Sequence, residues 1–131
     1  MISLAYTILY VKDVTATIAF YEKAFGLSRK FITPDNTYGE LQTGATTLSF
    51  ASVEFAKSNL KMGFLENNRD NLPFAQEIGF TTDDVEATVK TAVEAGAIVV
   101  EEMKTKPWGQ VVAYVRDPDG FLVEICTPPT Y

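Results

Sequence analysis

Hydrophobic and polar positions along the chain follow two alternating periods. Residues 3–11 are rich in β-branched and aromatic side chains and read as a strand. Asp13 then occupies an N-cap position. Behind it Val14, Ile18, Tyr21 and Phe25 recur at spacings of four, three and four, which is one face of a helix. Gly26 ends the pattern as a C-cap glycine. The same order starts again at Glu77, with a strand over 77–82, Asp84 at the cap, Val85, Val89 and Ala92 on the helical face, and Gly96 as the stop. Displacing residues 6–25 by 71 places Asp13 on Asp84, Val14 on Val85, Ala16 on Ala87, Thr17 on Thr88 and Ala24 on Ala95 without a gap. The coincidence of cap, face and stop marks an internal duplication.

Three more strands follow in each half, over 28–33, 38–43 and 46–52 in the first and over 98–104, 110–116 and 121–126 in the second. A tight turn is predicted at Gly44. Asp117-Pro118-Asp119-Gly120 is a stronger turn signal, because Pro presets φ and Gly admits a positive φ. Each half is therefore βαβββ. The expectation is one α+β domain, with modules 3–52 and 76–127 and a connecting segment 53–75. The middle of that segment, Glu66-Asn67-Asn68-Arg69-Asp70-Asn71, is polar and turn-like. Phe55, Met62, Phe64 and Leu65 on its flanks predict packing on the core, over a pocket or against another subunit.

Composition narrows the function. The 131 residues match a single domain of roughly 100–200. The net charge of −6 excludes a nucleic acid partner, because phosphate binding needs a basic face. No apolar stretch approaches the ~20 residues of a membrane span, and the N-terminus lacks the basic region of a signal peptide. No membrane association and a cytoplasmic location are expected. The single cysteine, Cys126, excludes an intramolecular disulfide. The chain has no histidine, which removes the usual general base near neutral pH and the usual neutral metal ligand. Without a histidine to activate it, Cys126 reads as a small buried hydrophobe.

Certain segments carry a resemblance. Tyr-Thr-Ile-Leu-Tyr-Val-Lys-Asp-Val (6–14), Phe20-Tyr21-Glu22-Lys23-Ala24-Phe25-Gly26-Leu27, Pro107-Trp108-Gly109-Gln110 and Val115-Arg116-Asp117-Pro118-Asp119-Gly120-Phe121-Leu122-Val123-Glu124 resemble the vicinal oxygen chelate superfamily of glyoxalases, bleomycin resistance proteins and extradiol dioxygenases. The resemblance implies two βαβββ modules forming a curled mixed sheet around a cleft, the glyoxalase/bleomycin resistance fold. It also implies four cleft-facing positions that usually hold metal-ligating His and Glu. Here they fall on Tyr6, on Ser49 within Leu48-Ser49-Phe50, on Glu77, and on Glu124 within Val123-Glu124-Ile125.

Strand alternation agrees with that placement, since the neighbours of Ser49 and Glu124 are apolar and face the other way. The set lacks the imidazole and thiolate that Zn²⁺, Fe²⁺ and Ni²⁺ favour. No cofactor is therefore expected. A divalent ion such as Mg²⁺ or Mn²⁺ would sit only weakly, on Glu77 and Glu124. Dioxygenase and fosfomycin thiol-transferase chemistry fail for want of histidine. Tyr6, Tyr10, Tyr38, Trp108 and Tyr114 are expected to wall the cleft, a surface suited to planar or cationic molecules.

The first expectation for function is a binder of a small organic molecule, like the bleomycin resistance proteins, using Tyr6, Tyr10, Tyr38, Ser49, Glu77, Trp108, Tyr114 and Glu124. The second is a glyoxalase-type lyase or isomerase, with Glu77 and Glu124 as the catalytic candidates. The third is an interaction domain with a vestigial cavity. The resemblance further implies a homodimer.

Overall fold

A computed structural model describes residues 1–129. The architecture is α+β, with two βαβββ modules. Two compact units divide the chain. One holds residues 1–22 and 26–66, and the other holds Lys23–Phe25 and the chain from Asn67 onward.

In the first unit β1 (Tyr6–Val11) leads into α1 (Val14–Phe25), and β2 (Ser28–Ile32), β3 (Tyr38–Gln42) and β4 (Thr47–Ser52) follow. The strand order is β1-β4-β3-β2, so β1 is parallel to β4 and the remaining pairs are antiparallel. Helix α1 begins where the Asp13 carboxylate accepts from Ala16 N–H at 3.1 Å. It ends at Gly26, which takes the left-handed conformation (φ 68°) and donates to the Glu22 carbonyl. Its apolar stripe of Val14, Ile18 and Tyr21 is buried with Leu9, Val11, Leu41 and Phe50 from one side of the sheet. Tyr21 stacks on Phe50 with ring centroids 5.3 Å apart. Tyr6, Ile8 and Tyr10 therefore point to the opposite face of β1.

The second unit repeats the plan with β5 (Ile78–Thr81), α3 (Val85–Ala95), β6 (Ile98–Thr105), β7 (Val111–Arg116) and β8 (Leu122–Cys126), in the order β5-β8-β7-β6. Asp84 caps α3 by accepting from Ala87 N–H at 3.0 Å. Val85 and Ala92 of the helix are buried, as are Val112, Ala113, Val115, Val123 and Ile125 of the sheet. Phe20 and Tyr21 are core residues, and Phe25 is half-buried and stacks on Phe80.

The connecting segment differs from a plain joining loop. Its start is a helix, α2 (Val53–Asn59), capped by the Ser52 hydroxyl, which accepts from Phe55 N–H at 3.1 Å. Seven residues with only Val53 and Ala56 buried are too few to display a helical period in the sequence. Farther on, Phe64 packs against Tyr10 at 4.8 Å. Residues 67–71 are clamped to the Asp117–Gly120 turn. Arg116 donates to the carbonyls of Gly120 (2.8 Å), Asn71 (2.6 Å) and Asn68 (2.7 Å), and Asn67 Nδ2 donates to the Gly120 carbonyl at 3.0 Å. Asp117, fully buried, accepts from the Asp119 and Phe121 amides. Among the described residues no helix is long and apolar enough to cross a membrane.

Candidate functional site

Each sheet has one face covered by its helix and one face that collects polar side chains. In the second unit the strand register builds that polar face. Glu124 stands opposite Tyr114 on β7 and beside Gly79 on β5, and Glu77 lies two residues before Gly79, on the same side. The Tyr114 hydroxyl donates to Glu124 Oε1 at 2.9 Å. Glu77, exposed just before β5, and half-buried Glu124 lie close enough for each to shift the titration of the other.

Partial burial raises the pKa of Glu77, and its interaction with the Glu124 carboxyl and the negative charge of Glu124 add to the effect. Burial pushes Glu124 the same way. It is outweighed by hydrogen bonds from Cys126, Tyr114 and Glu77 and by the charge of Lys106, so Glu124 lies below its ordinary value. Burial and Glu124 push Tyr114 up to about 12, and burial followed by the two acids pushes the Cys126 thiol up to about 11. Cys126 is buried and inert as a nucleophile at neutral pH. Among the described residues no basic group lies within ion-pair distance of either carboxylate. Trp108 lies in the β6–β7 turn, and its indole N–H donates to Gln110 Oε1 at 2.8 Å.

The first unit carries a different set. Tyr38 and Glu40 share a side of β3, and Glu40 is in register with Ser49. The Tyr38 hydroxyl donates to Glu40 Oε2 at 2.7 Å, and Lys30 Nζ lies 3.5 Å from Glu40 Oε1. Ser49 is fully buried and donates to the Thr7 carbonyl at 3.2 Å. Burial raises the Tyr38 pKa to about 12, against a lowering hydrogen bond from Ser49 and with Glu40 reinforcing the rise. Tyr6 is half exposed (52%) at the end of β1, and Tyr10 is covered by Phe64.

The expected residues thus fall into two groups. Tyr6, Tyr10, Tyr38 and Ser49 belong to the first unit, and Glu77, Trp108, Tyr114 and Glu124 to the second. Two polar residues were given no site role by the sequence reading, Glu40 and Gln110, the latter quoted there only within Pro107-Trp108-Gly109-Gln110. Glu40 was accessible by alternation from Tyr38, two residues before it. A hollow of about 170 Å³ between α3, β6 and β7, lined by Glu86, Val89, Val99 and Met103, contains none of the expected residues.

The donor chemistry at the four expected ligand positions does not fit a His- or Cys-favouring transition metal. Tyr6 and Ser49 offer hydroxyls, and that of Ser49 is turned to a carbonyl. Glu77 and Glu124 offer carboxylates, not imidazole or thiolate. Among the described residues no three His, Cys, Asp or Glu side chains converge.

Residues 3–125 match the Glyoxalase/Bleomycin resistance protein/Dioxygenase superfamily. The chain belongs to this superfamily. It is 27% identical over 133 residues to a "Probable lactoylglutathione lyase" of Vibrio cholerae, covering 92% of this chain and 86% of that protein. It is 30% identical over 122 residues to the virulence protein STM3117 of Salmonella typhimurium, covering 90% and 78%. The crystal structure of a glyoxalase-related enzyme from Fulvimarina pelagi superposes with a TM-score of 0.82 at 21% identity, over 98% of this chain and 89% of that one. At that identity the likeness concerns the fold alone. Within the glyoxalase superfamily one scaffold carries many activities, so function must be argued from the site.

Proposed function

We propose that this glyoxalase-superfamily protein binds a small organic molecule, planar or cationic, on its acidic and aromatic sheet faces, with no role for a transition metal. The observation that carries the reading is the Glu77–Glu124 pair. Glu124 accepts from the Tyr114 hydroxyl, and no basic side chain lies in ion-pair range of either acid among the described residues, the charge of Lys106 acting on Glu124 from beyond that range. A ligand cation would gain charge-assisted hydrogen bonds there and relieve the repulsion between the acids. The exposed ring of Trp108 in the same unit supports a flat or cationic partner. We also propose that the protein acts as a homodimer, which sedimentation showing monomer alone at micromolar concentration would refute.

A second reading is a metal-free lyase or isomerase. The asymmetric pair favours it, since the pKa of Glu77 is raised and that of Glu124 lowered, the order expected of one acid and one base. The relative named a lactoylglutathione lyase points the same way.

The test is titration with flat cations, thioflavin T among them, followed by Trp108 fluorescence, since Trp108 is the single tryptophan. Glu124→Gln should weaken binding by ~1.5–3 kcal/mol, the worth of a charged hydrogen bond, with the fold intact. Equal affinity in both proteins would end the binder reading. A stoichiometric metal in protein purified without chelator, lost together with a turnover reaction in Glu124→Gln, would transfer the site to the enzyme reading.

A further inference from the structure

Among the described residues two glycines lie inside strands, Gly39 of β3 and Gly79 of β5. Glycine weakens a strand, since it brings no side chain and loses the most backbone freedom on folding. It is kept there when φ is positive, when packing leaves no room for a Cβ, or when something else comes close to the backbone. Neither residue has a positive φ. Gly39 is explained by packing, because a Cβ there would come 2.5 Å from Cδ1 of fully buried Ile18 on α1. Gly79 is not, because a Cβ there would meet nothing within 4 Å.

The position of Gly79 makes this open space specific. β5 is an edge strand, and Gly79 stands in register with Glu124 of β8, whose carboxylate accepts from Tyr114 of β7. Alternation places Glu77 and Thr81 on the same side as Gly79, one before it and one after. Ile78 and Phe80 face the other way, where Phe80 stacks on Phe25. The bare backbone of Gly79 is thus the floor of a gap, with Glu77 and Thr81 at its ends and Glu124 along one side. That floor is flat, because it consists of peptide planes without a Cβ, and the polar groups lie at its margins.

We infer that Gly79 is the seat of the ligand's cationic head, and that this head is flat and carries N–H groups at its edge, as an amidinium or guanidinium does. This rests on the binder reading and deepens it by naming the head group. A planar head lies against the Gly79 peptides and turns its N–H edge to Glu77 and Glu124, where charge-assisted hydrogen bonds form. A tetrahedral ammonium cannot lie flat and bond at its edge together. A Cβ at residue 79 would lift the head off the floor.

The experiment compares benzamidine, whose amidinium is flat, with benzylamine, whose ammonium is tetrahedral on the same ring. By isothermal titration calorimetry the wild type should bind benzamidine about tenfold more tightly, the gain from one more charge-assisted hydrogen bond. Gly79→Ala should weaken benzamidine about fivefold and Gly79→Leu more than about tenfold, as overpacking of a fitted site does. Gly79→Leu should also remove the preference over benzylamine. The Tm of Gly79→Ala should equal or exceed that of the wild type, because the added Cβ meets nothing and a strand glycine is costly. A merely structural glycine would show the reverse, a loss of stability with affinity kept. Unchanged benzamidine affinity in Gly79→Leu would overturn the proposal, as would equal affinity of the wild type for the two amines. Unchanged affinity in Gly79→Leu together with loss of a dimer on sedimentation would give the gap to a second copy of this chain. Thioflavin T separates these failures from that of the binder reading. If it binds the wild type and both Gly79 variants alike, the reading stands and the seat at Gly79 falls. If none of the three cations binds the wild type, the reading ends and the seat with it.

Discussion

In the first unit Glu40 on β3 stands opposite Ser49 on β4, and its charge is met by the Tyr38 hydroxyl and by Lys30. In the second unit the equivalent pair is Tyr114 on β7 opposite Glu124 on β8. The acid has changed strands, its tyrosine now sits directly across from it, and the charged group acting on it from nearby is a second acid, Glu77, in place of a paired lysine. Backbone ladders set the register in both units and are indifferent to which side chain occupies each polar position. One duplicated scaffold thus holds a charge-balanced face and an acidic face. The comparison places the unpaired acids of these two faces in the second unit.

The largest expected difference between the units lies in their last turns. Gly44 and Gly120 both have φ of +94°. A Cβ at Gly120 would come 2.5 Å from Asn68 C and 2.7 Å from Asn68 O, whereas at Gly44 it would meet nothing within 4 Å. Gly120→Ala should therefore cost roughly 3–5 kcal/mol or abolish folding, and Gly44→Ala about 1 kcal/mol from backbone strain alone. Urea melts of the two variants decide this, and equal losses would show that the clamp on residues 67–71 carries little energy.

Arg116→Met should come next. It removes donors from three carbonyls, and a cost of roughly 2–4 kcal/mol is expected. Gln42 holds the equivalent place in the first unit and is exposed, so Gln42→Met should stay within about 0.5 kcal/mol. A comparable loss at both positions in thermal melts would erase the contrast.

The smallest effect concerns protons. Because the folded protein raises Glu77 above its ordinary 4.5, the stabilising contribution of this group is complete below that value and is lost as pH rises through the raised one. Glu124 is lowered, so its contribution is present above 4.5 and is lost as pH falls through the lowered value. Glu77→Gln should flatten the alkaline-side decline of stability. Because Glu77 is exposed and screened by solvent, the change should be under about 1 kcal/mol. Melting temperatures followed from acid to neutral pH would sharpen the comparison, and a steeper decline in the variant would reverse the direction of the Glu77 shift.

Much of the scaffold was legible because its signals are local. Asp13, Gly26 and Asp84 mark helix ends through hydrogen bonds that span three or four residues. Val14, Ile18 and Tyr21 expose the helical period directly. The α+β class followed from the repeat of these signals, and the superfamily from the resemblance of residues 6–14, 20–27, 107–110 and 115–124 to its motifs. Strand ends moved by a residue or a few, as at β1, which starts at Tyr6 and not at residue 3, and at β5, which leaves Glu77 just outside the ladder.

What the sequence determined by itself was therefore the alternation of elements, their duplication and the sides on which Ser49 and Glu124 stand. These depend on periods and caps within a few neighbouring residues. Tertiary structure alone decided the partners. Arg116 reaches carbonyls 45 and 48 residues away in sequence, and Phe64 covers Tyr10 from a segment with no periodic signal. The Glu40–Lys30 pair and the approach of Glu77 to Glu124 depend on strand register. A hydrogen bond needs two groups within about 3 Å, and local sequence patterns do not encode that distance between strands far apart in the chain.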